Sequence, residues 1–400
     1  MLTRFRPTST FAAVVVALAT LGGVTVSVAV STAPAGALRS ANTSVVPATI
    51  AHDCSTDVTA ALKAWIAKAP AGSTLALAAK GCYRIDETLT ITNRSGLTIE
   101  GNGSVLRAVA PGNQQRRHVW IQGGKNIVLR DLAVEGTNTK AGASKAAYVP
   151  SSAFQHAFAL TGVTNARLDH VRGTNVSGDF VYIGAGSNGR WSRGIRVDHS
   201  SFQGSGRQGI SITAGRDVTI DHNSIAGVPR SMFDFEANTA SGGAEHVTVS
   251  HNATGAALNF WLANKGVGTN TGRIVFTRNT MTQPTGGLVF VYGPGVGYRG
   301  PFTFTDNRLL LSDTVHDEGS KGAFFLSRAK NVTITGNSGT FPVGRNVPVV
   351  ENQGSVKVTA KGNRFANAGP DSISTTRPAP KVTTTTAPGP TPTTVKRVGT

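Results

Sequence analysis

VTIDHN at 218–223 and VTVSHN at 247–252 are one pattern written twice: an apolar-x-apolar pair, then two residues, then Asn. The pattern returns as LTIEGN at 97–102, IVFTRN at 274–279, FTFTDN at 302–307 and VTITGN at 332–337. Weaker copies are IVLRDL at 127–132, ARLDHV at 166–171, IRVDHS at 195–200 and VKVTAK at 356–361. Alternation of period two is the mark of a strand with one face inward. With the second apolar residue as marker, the copies fall at Ile99, Leu129, Leu168, Val197, Ile220, Val249, Phe276, Phe304, Ile334 and Val358, separated by 23 to 39 residues. A unit of that length, rich in Gly, Asn, Thr and Val, cannot bury its own apolar face. Stacked on its neighbours it can, which predicts a parallel β-solenoid. The Leu-x-x-Leu-x-Leu spacing of leucine-rich repeats is absent. The repeated Asn is expected to tolerate the turn geometry and to bond its successor one strand spacing away, about 4.8 Å.

On these repeats the chain resembles the right-handed parallel β-helix superfamily that includes pectate lyases, polygalacturonases and phage polysaccharide-degrading tailspikes. DVTAALKAWIAKAPAGSTLALAAKGCYRIDETLTI, 57–91, is similar to the first segment of many members: an amphipathic helix, a first strand and a Gly-x-Tyr turn. Val58, Leu62 and Trp65 fall on one helical face, suited to plugging the open end of the stack. The resemblance covers 54–368 and implies an all-β right-handed parallel β-helix of about ten coils with an N-terminal capping helix. A fold of this kind says little about the reaction.

The ends differ from the middle. MLTRFR, an apolar stretch from Phe11 to about Val30 and Ala35-Gly36-Ala37 read as a signal peptide over 1–37, which predicts a secreted or cell-wall-associated protein with no membrane insertion after cleavage. Residues 38–53 read as a short linker. TTRPAPKVTTTTAPGPTPTT, 375–394, carries nine Thr and five Pro, so 369–400 is expected to be a disordered spacer. Cys54 and Cys82, the only two cysteines, are expected to form a structural disulfide closing a loop of about 28 residues, worth roughly 3–4 kcal/mol. Without Arg4 and Arg6 the chain keeps 37 basic against 21 acidic residues, a formal +16. That balance favours uronate or sulfated polysaccharides and anionic wall polymers. Nucleic acid is not expected, because the basic residues are scattered and no recognition-helix or RNA-binding signature occurs.

A second short apolar strand precedes each marker: FAL 158–160, VYI 181–183, ISI 210–212, FDF 233–235, FWL 260–262, LVF 288–290, FFL 324–326 and PVV 348–350. The connection to the next marker is six residues longer in four of these coils, over 184–194, 236–246, 263–273 and 291–301. With the extra segment 136–156, these loops should wall a groove, and the short connection after Ile212 should leave a notch. In SMFDFEAN, 231–238, Phe233 and Phe235 then face the core and Asp234 and Glu236 face out. Register places Ser211 and Trp261 beside Asp234, Thr213 and Ala263 beside Glu236, and Tyr182 in the Asp234 column two coils back, roughly 10 Å away. Arg207 and Arg230 share a column. Aromatics stack on pyranoses, arginines hold carboxylates, and paired acids act at an acetal as donor and base or nucleophile.

The segment 206–238, with SGDFVYIG at 177–184, also resembles bacterial β-helix proteins of polysaccharide processing, in which an Arg-Gln-Gly-Ile strand precedes an Asp-x-Glu strand by one coil. That resemblance implies Asp234, Glu236 and Asp179 as catalytic candidates and Arg207 and Gln208 as partners in substrate binding; the column reading adds Arg230, Tyr182 and Trp261. Ala237 stands where Pro often follows the Glu. The consecutive aspartates and Gly-His-Gly of polygalacturonases are missing, so classical pectin hydrolysis is not expected. The expectation is a secreted, monomeric glycoside hydrolase or polysaccharide lyase acting on an acidic glycan. A lyase would admit Ca2+ as cofactor, or proton transfer by Arg207, Arg230 or Tyr182, and a uronan epimerase would share that chemistry. The rival is a non-catalytic glycan-binding or wall-associated β-helix. Lastly, His170, His199, His222 and His251 share one phase, three of them after Asp169, Asp198 and Asp221. A structural ladder is expected there rather than a metal cage, with Arg167 and Arg196 balancing the aspartates.

Overall fold

The computed structural model describes residues 42–268, 270–282, 288–293, 297–310, 323–340, 348–366 and 373–374. The expected signal peptide and all of the Thr/Pro tail save 373–374 lie outside the described residues, as does part of the 291–301 loop. Strands stack into a 22-stranded and an 11-stranded sheet, and the pairings between successive coils are parallel. One coil passes through both sheets, so each new coil meets its predecessor strand for strand.

The marker column holds its register from Ile99 through Leu129, Leu168, Val197, Ile220, Val249, Phe276 and Phe304 to Ile334. It slips only at the end, where Ala360 lies opposite Ile334 and Val358 opposite Val332. Inward residues of both sheets form one continuous buried core, with Phe233, Phe235, Phe276 and Phe304 among its largest members. Burial of this apolar column is what fixes register, because a one-residue slip would turn every inward side chain out.

Asparagine takes the left-handed turn itself only in the first copy, at Asn102 with φ of 51°; in the other five copies the left-handed backbone belongs to the residue before it, with φ of 53° at His222, 53° at His251, 55° at Arg278, 53° at Asp306 and 66° at Gly336. Asn223, Asn252, Asn279, Asn307 and Asn337 follow and turn inward, each side-chain amide donating to the next Asn Oδ1 at 2.9 Å, with Asn363 the last acceptor. The same Oδ1 accepts the preceding Asn backbone N–H, at 2.9 Å for Asn223 and 3.0 Å for Asn252. The amides therefore satisfy the buried backbone of the corner, which an apolar residue could not do. The second half of the expectation, Asn bonding Asn, holds.

Helix Thr59–Lys68 packs Leu62 and Ile66 against the core, together with Val58 just before it. Trp65 is half-buried and packs against the same core as expected, donating its indole N–H to Ser44 Oγ at 3.3 Å, and Ile66 joins it on that face. The described part of the expected linker enters the fold early, since Thr43–Val45 pairs with Thr74–Ala76. Cys54 and Cys82 are joined as a disulfide. Among the described residues no helix is long and apolar enough to cross a membrane.

Candidate active site

Strand Phe233–Asp234 sits in the 11-stranded sheet, with Phe233 level with Ile210 on one side and Leu262 on the other. Alternation turns the Asp234 side chain away from the core, as expected. Yet Asp234 is only 1% exposed. Among the described residues its Oδ1 has no hydrogen-bond partner. Burial, reinforced by the Glu236 charge two residues on, pushes the Asp234 carboxyl up to about 7, against the pull of Arg207 and Lys265. Glu236 is half-buried. One coil further, Ala237 donates to the Lys265 carbonyl at 3.3 Å, which brings Lys265 level with Glu236.

Asp179, from the turn before the Val181–Gly184 strand, is buried and accepts from Arg207 Nη1 at 3.0 Å and from the Gln208 backbone N–H at 3.1 Å. Burial pushes the Asp179 carboxyl up and Arg207 draws it back. Burial also opposes the Arg207 charge, but Asp179, Asp234 and Glu236 more than restore it. With two donors on one carboxylate, one of them a guanidinium, the ion pair prevails, and Asp179 is committed to holding Arg207. The Gln208 Oε1 accepts from the Ser231 N–H at 2.6 Å, which makes Gln208 a strut between coils.

Tyr182 is half-buried, its ring flat against the buried His156 ring at 4.9 Å and its hydroxyl 2.9 Å from Thr213 Oγ1. The Asp179 N–H donates to His156 Nδ1 at 2.9 Å, so that nitrogen carries no proton. Burial, with Arg207 and Arg117 nearby, holds the His156 imidazole well below its usual range. The insertion 136–156 walls the site as expected. Its Tyr148 meets the Arg230 guanidinium at 5.2 Å and its Phe154 meets that of Arg207 at 5.7 Å.

Trp261 is the clear correction. It is 0% exposed and packs its indole on Phe276 at 4.9 Å and Phe233 at 6.2 Å. The strand starts at Leu262 rather than Phe260, so Ala263, not Trp261, lies beside Asp234. One coil on, Val289 likewise replaces Leu288 as the first inward residue of its strand. In the 348–350 copy the strand begins only at Val350, past Pro348, whose nitrogen has no proton to give the ladder. Asn264 thereby takes the inward place after Leu262 and accepts from Arg299 Nη1 at 3.1 Å. Arg299 is wholly buried and also donates to the Gly266 and Gly268 carbonyls. Burial lowers the Arg299 pKa to about 10 against the pull of Glu236. Neither Arg299 nor Lys265 could be placed from the repeat, since one follows a loop and the other depends on the corrected register.

Ca2+ does not suit this donor set. It takes six to eight oxygens, whereas Asp179 is occupied by Arg207, and Lys265 and Arg299 set their charges against Asp234 and Glu236. Elsewhere, His170, His199, His222 and His251 stack in line at 5.1, 5.3 and 4.7 Å. Burial works against the Asp198 charge, but Arg167 and Arg196 hold that carboxyl down at about 2. The stacked line is present, and within it Asp169, His170 and His199, like Asp221, His222 and His251, each bring three potential metal-ligand atoms within 4.8 Å of one another. A cleft of about 640 Å³ is lined by Arg190, Trp191, Arg193 and Arg216, and Glu245, the carboxylate among its described lining residues, is paired to Arg216.

Stacked parallel coils with polar side chains gathered on the outer face of one sheet define a parallel β-helix of the pectate-lyase-like fold. Neither a protein-family model nor a curated protein sequence matches the chain. Solved structures do. The Streptococcus pneumoniae surface protein and adhesin PfbA is 12% identical, over 81% of this chain and 97% of that one, with a TM-score of 0.56. Endo-xylogalacturonan hydrolase from Aspergillus tubingensis is 14% identical, over 84% and 99%, with a TM-score of 0.56. Polygalacturonase from Erwinia carotovora ssp. carotovora is 11% identical, over 82% and 97%, with a TM-score of 0.52. At these identities the likeness is one of fold.

Proposed function

We propose that the protein is a secreted glycoside hydrolase acting on an anionic polysaccharide, with Asp234 as proton donor and Glu236 as its partner carboxylate. One observation carries the reading. Asp234 is a buried acid with an unpartnered carboxyl oxygen, and it keeps its proton to about pH 7 beside a second carboxylate. Two acids held in unlike environments are what general acid catalysis at an acetal needs. Asp234 would give its proton to the glycosidic oxygen as the bond to the anomeric carbon breaks. Glu236 would stabilise the developing positive charge and either attack that carbon or take a proton from water. Arg207, held by Asp179, and Arg230, against Tyr148, would bind substrate carboxylates, and Tyr182 would stack on a sugar ring with the face away from His156. Hydrolysis is favoured over elimination or epimerisation because the acid is protonated and the cationic surroundings do not suit Ca2+. A right-handed winding of about ten coils, the Thr59–Lys68 helix as cap, cleavage of the signal peptide and a monomeric state belong to the same proposal.

Burial of Asp234 favours a second reading, a β-helix that binds glycan without cutting it, as an adhesin would. One experiment separates them. The protein is incubated with neutral and anionic polysaccharides while reducing ends and unsaturated-uronate absorbance are followed. New reducing ends without absorbance, lost in Asp234→Asn and Glu236→Gln, support hydrolysis. Absorbance would replace hydrolysis by elimination, and binding with neither product would leave the adhesin-like reading.

A further inference from the structure

The histidine line follows strands of the 22-stranded sheet, not the sheet that carries Asp234, and its two ends are not alike. Asp169, Asp198, Asp221 and Ser250 close the strands Thr164–Asp169, Ser192–Asp198, Ala214–Asp221 and Gly243–Ser250, lie in one register, and each stands directly before its histidine. Two residues earlier, on the same face of each strand, the register reads Arg167, Arg196, Thr219 and Thr248. The first two carboxylates therefore have arginines beside them. Arg167 reaches Asp169 at 3.3 Å and Asp198 at 2.6 Å, and Arg196 reaches Asp198 at 3.0 Å. Asp221 meets Arg196 across 3.7 Å, and its own strand and the next offer it threonine.

Closer to Asp221 stand the donors of a metal site. His222 Nδ1 lies 2.8 Å from one carboxylate oxygen and His251 Nδ1 lies 3.1 Å from the other, which also accepts from Ser250 Oγ at 2.6 Å. A tetrahedral ion with bonds of about 2.0–2.1 Å holds its ligand atoms about 3.3 Å apart, near the two N···O separations found here. The imidazoles have to draw together, and this pair is the best placed in the line to do so. Its ring centres are 4.7 Å apart with 14° between the planes, against 5.1 and 5.3 Å with 7° and 9° for the other two pairs. Both rings are exposed and have room to tilt. Their backbones are fixed, each at a left-handed corner with φ of 53° above the Asn223–Asn252 bond. At the other end of the line His199 Nδ1 faces Asp198, at 3.1 Å, and that carboxylate is already held by two arginines.

We propose that Asp221, His222 and His251 bind a borderline divalent ion of the Zn2+ class, with Ser250 holding a water in the fourth position, and that the ion clamps two successive coils at their corner. Imidazole and carboxylate suit Zn2+, whereas Ca2+ takes six to eight oxygens. Ligation uses the Nδ1 lone pair of each ring, leaves the ring proton on Nε2, and replaces the two hydrogen bonds to Asp221 with metal bonds. The ligands come from coils 29 residues apart along the chain, so an ion held between them favours the folded state. The site does not depend on the acid pair or on any cleavage.

The test uses untagged protein, stripped with EDTA and dialysed free of it, titrated calorimetrically with Zn2+ and with Ca2+ and melted with and without each ion. Saturable uptake of about one Zn2+ per chain is expected, with a rise in Tm of a few degrees that EDTA reverses and Ca2+ does not reproduce. Co2+ in place of Zn2+ should show the visible d–d absorption of a four-coordinate site. His222→Gln and His251→Gln should each weaken Zn2+ at least about tenfold and remove the thermal shift. Asp221→Asn should do the same, and the two exposed histidines keep the test open should that variant fail to fold. His170→Gln should bind Zn2+ as its parent does. Absence of saturable Zn2+ binding, binding undiminished by His251→Gln, or an equal loss in His170→Gln would overturn the site. Zn2+ binding that leaves Tm unchanged would overturn the clamp.

Discussion

Asp234→Asn should make the protein more stable at pH 8 while abolishing turnover. In the unfolded chain this aspartate ionises near 3.8, and in the fold near 7. Between those values the native state holds a proton that the unfolded state has released. Stability therefore falls as pH rises through that window and stays lost above it. A window of about three pH units, at about 1.4 kcal/mol each, amounts to ~4 kcal/mol, a large share of the usual 5–15 kcal/mol for a domain. Asparagine has the same shape and no charge to bury, so the slope should vanish. Because part of the shift comes from Glu236, Glu236→Gln should recover a fraction of the same loss. The assay is guanidinium unfolding of wild type and both variants at pH 4, 6, 7 and 8.5. Nearly equal stabilities at pH 4, diverging to a few kcal/mol by pH 8.5 with unchanged m-values, are expected. An Asp234→Asn variant less stable than wild type at pH 8.5 would refute the reasoning. It would mean that Asp234 is ionised and paired with Arg207 or Lys265, and such an aspartate is no proton donor.

Other outcomes follow from the same contacts. If Asp234 is the acid, kcat/KM should decline above about pH 7, and a pH–rate profile flat to pH 9 would exclude it. Trp261→Ala should cost about 3–5 kcal/mol in denaturant midpoint through loss of core packing, with glycan affinity unchanged per folded molecule, because Trp261 is buried against Phe276. Asn279→Ala should cost roughly 1–3 kcal/mol by leaving the Asn252 backbone N–H unmatched inside the corner, while the Asn252 side-chain amide keeps its bonds to the Ile220 and Ser250 carbonyls; calorimetric melting checks it. Arg207→Met should destabilise by about 3–5 kcal/mol at pH 7, since Asp179 keeps a buried charge without its partner. That loss should shrink toward pH 4, where protonation of Asp179 becomes cheaper than keeping the charge, and an equal loss at both pH values would assign the effect to packing instead.

Fold and site were legible to different depths because they depend on different lengths of pattern. Nine of the ten marker residues hold register, since each copy of the strand is tested against two neighbours and a slip exposes a whole inward column. The second strand of each coil is shorter, and at FWL 260–262 three consecutive apolar residues carry no alternation from which parity could be read. The chain resolves that ambiguity by burying the largest ring, Trp261, among Phe233 and Phe276, which pushes the strand one residue on. A single shift of parity then moves an expected sugar platform into the core and brings Lys265 beside Glu236 in its stead. At FDF the polar residue between two phenylalanines leaves no such choice, so the outward course of Asp234 could be read from the sequence. Its burial could not, because alternation says which way a side chain points and not what packs over it; Tyr148 and Phe154, about 80 residues away along the chain, reach this face at Arg230 and Arg207. Burial, with Glu236 two residues on, is also what turns an outward carboxylate into an acid that holds its proton near neutral pH, so the chemistry of the site depends on packing around the strand that the period-two repeat does not encode.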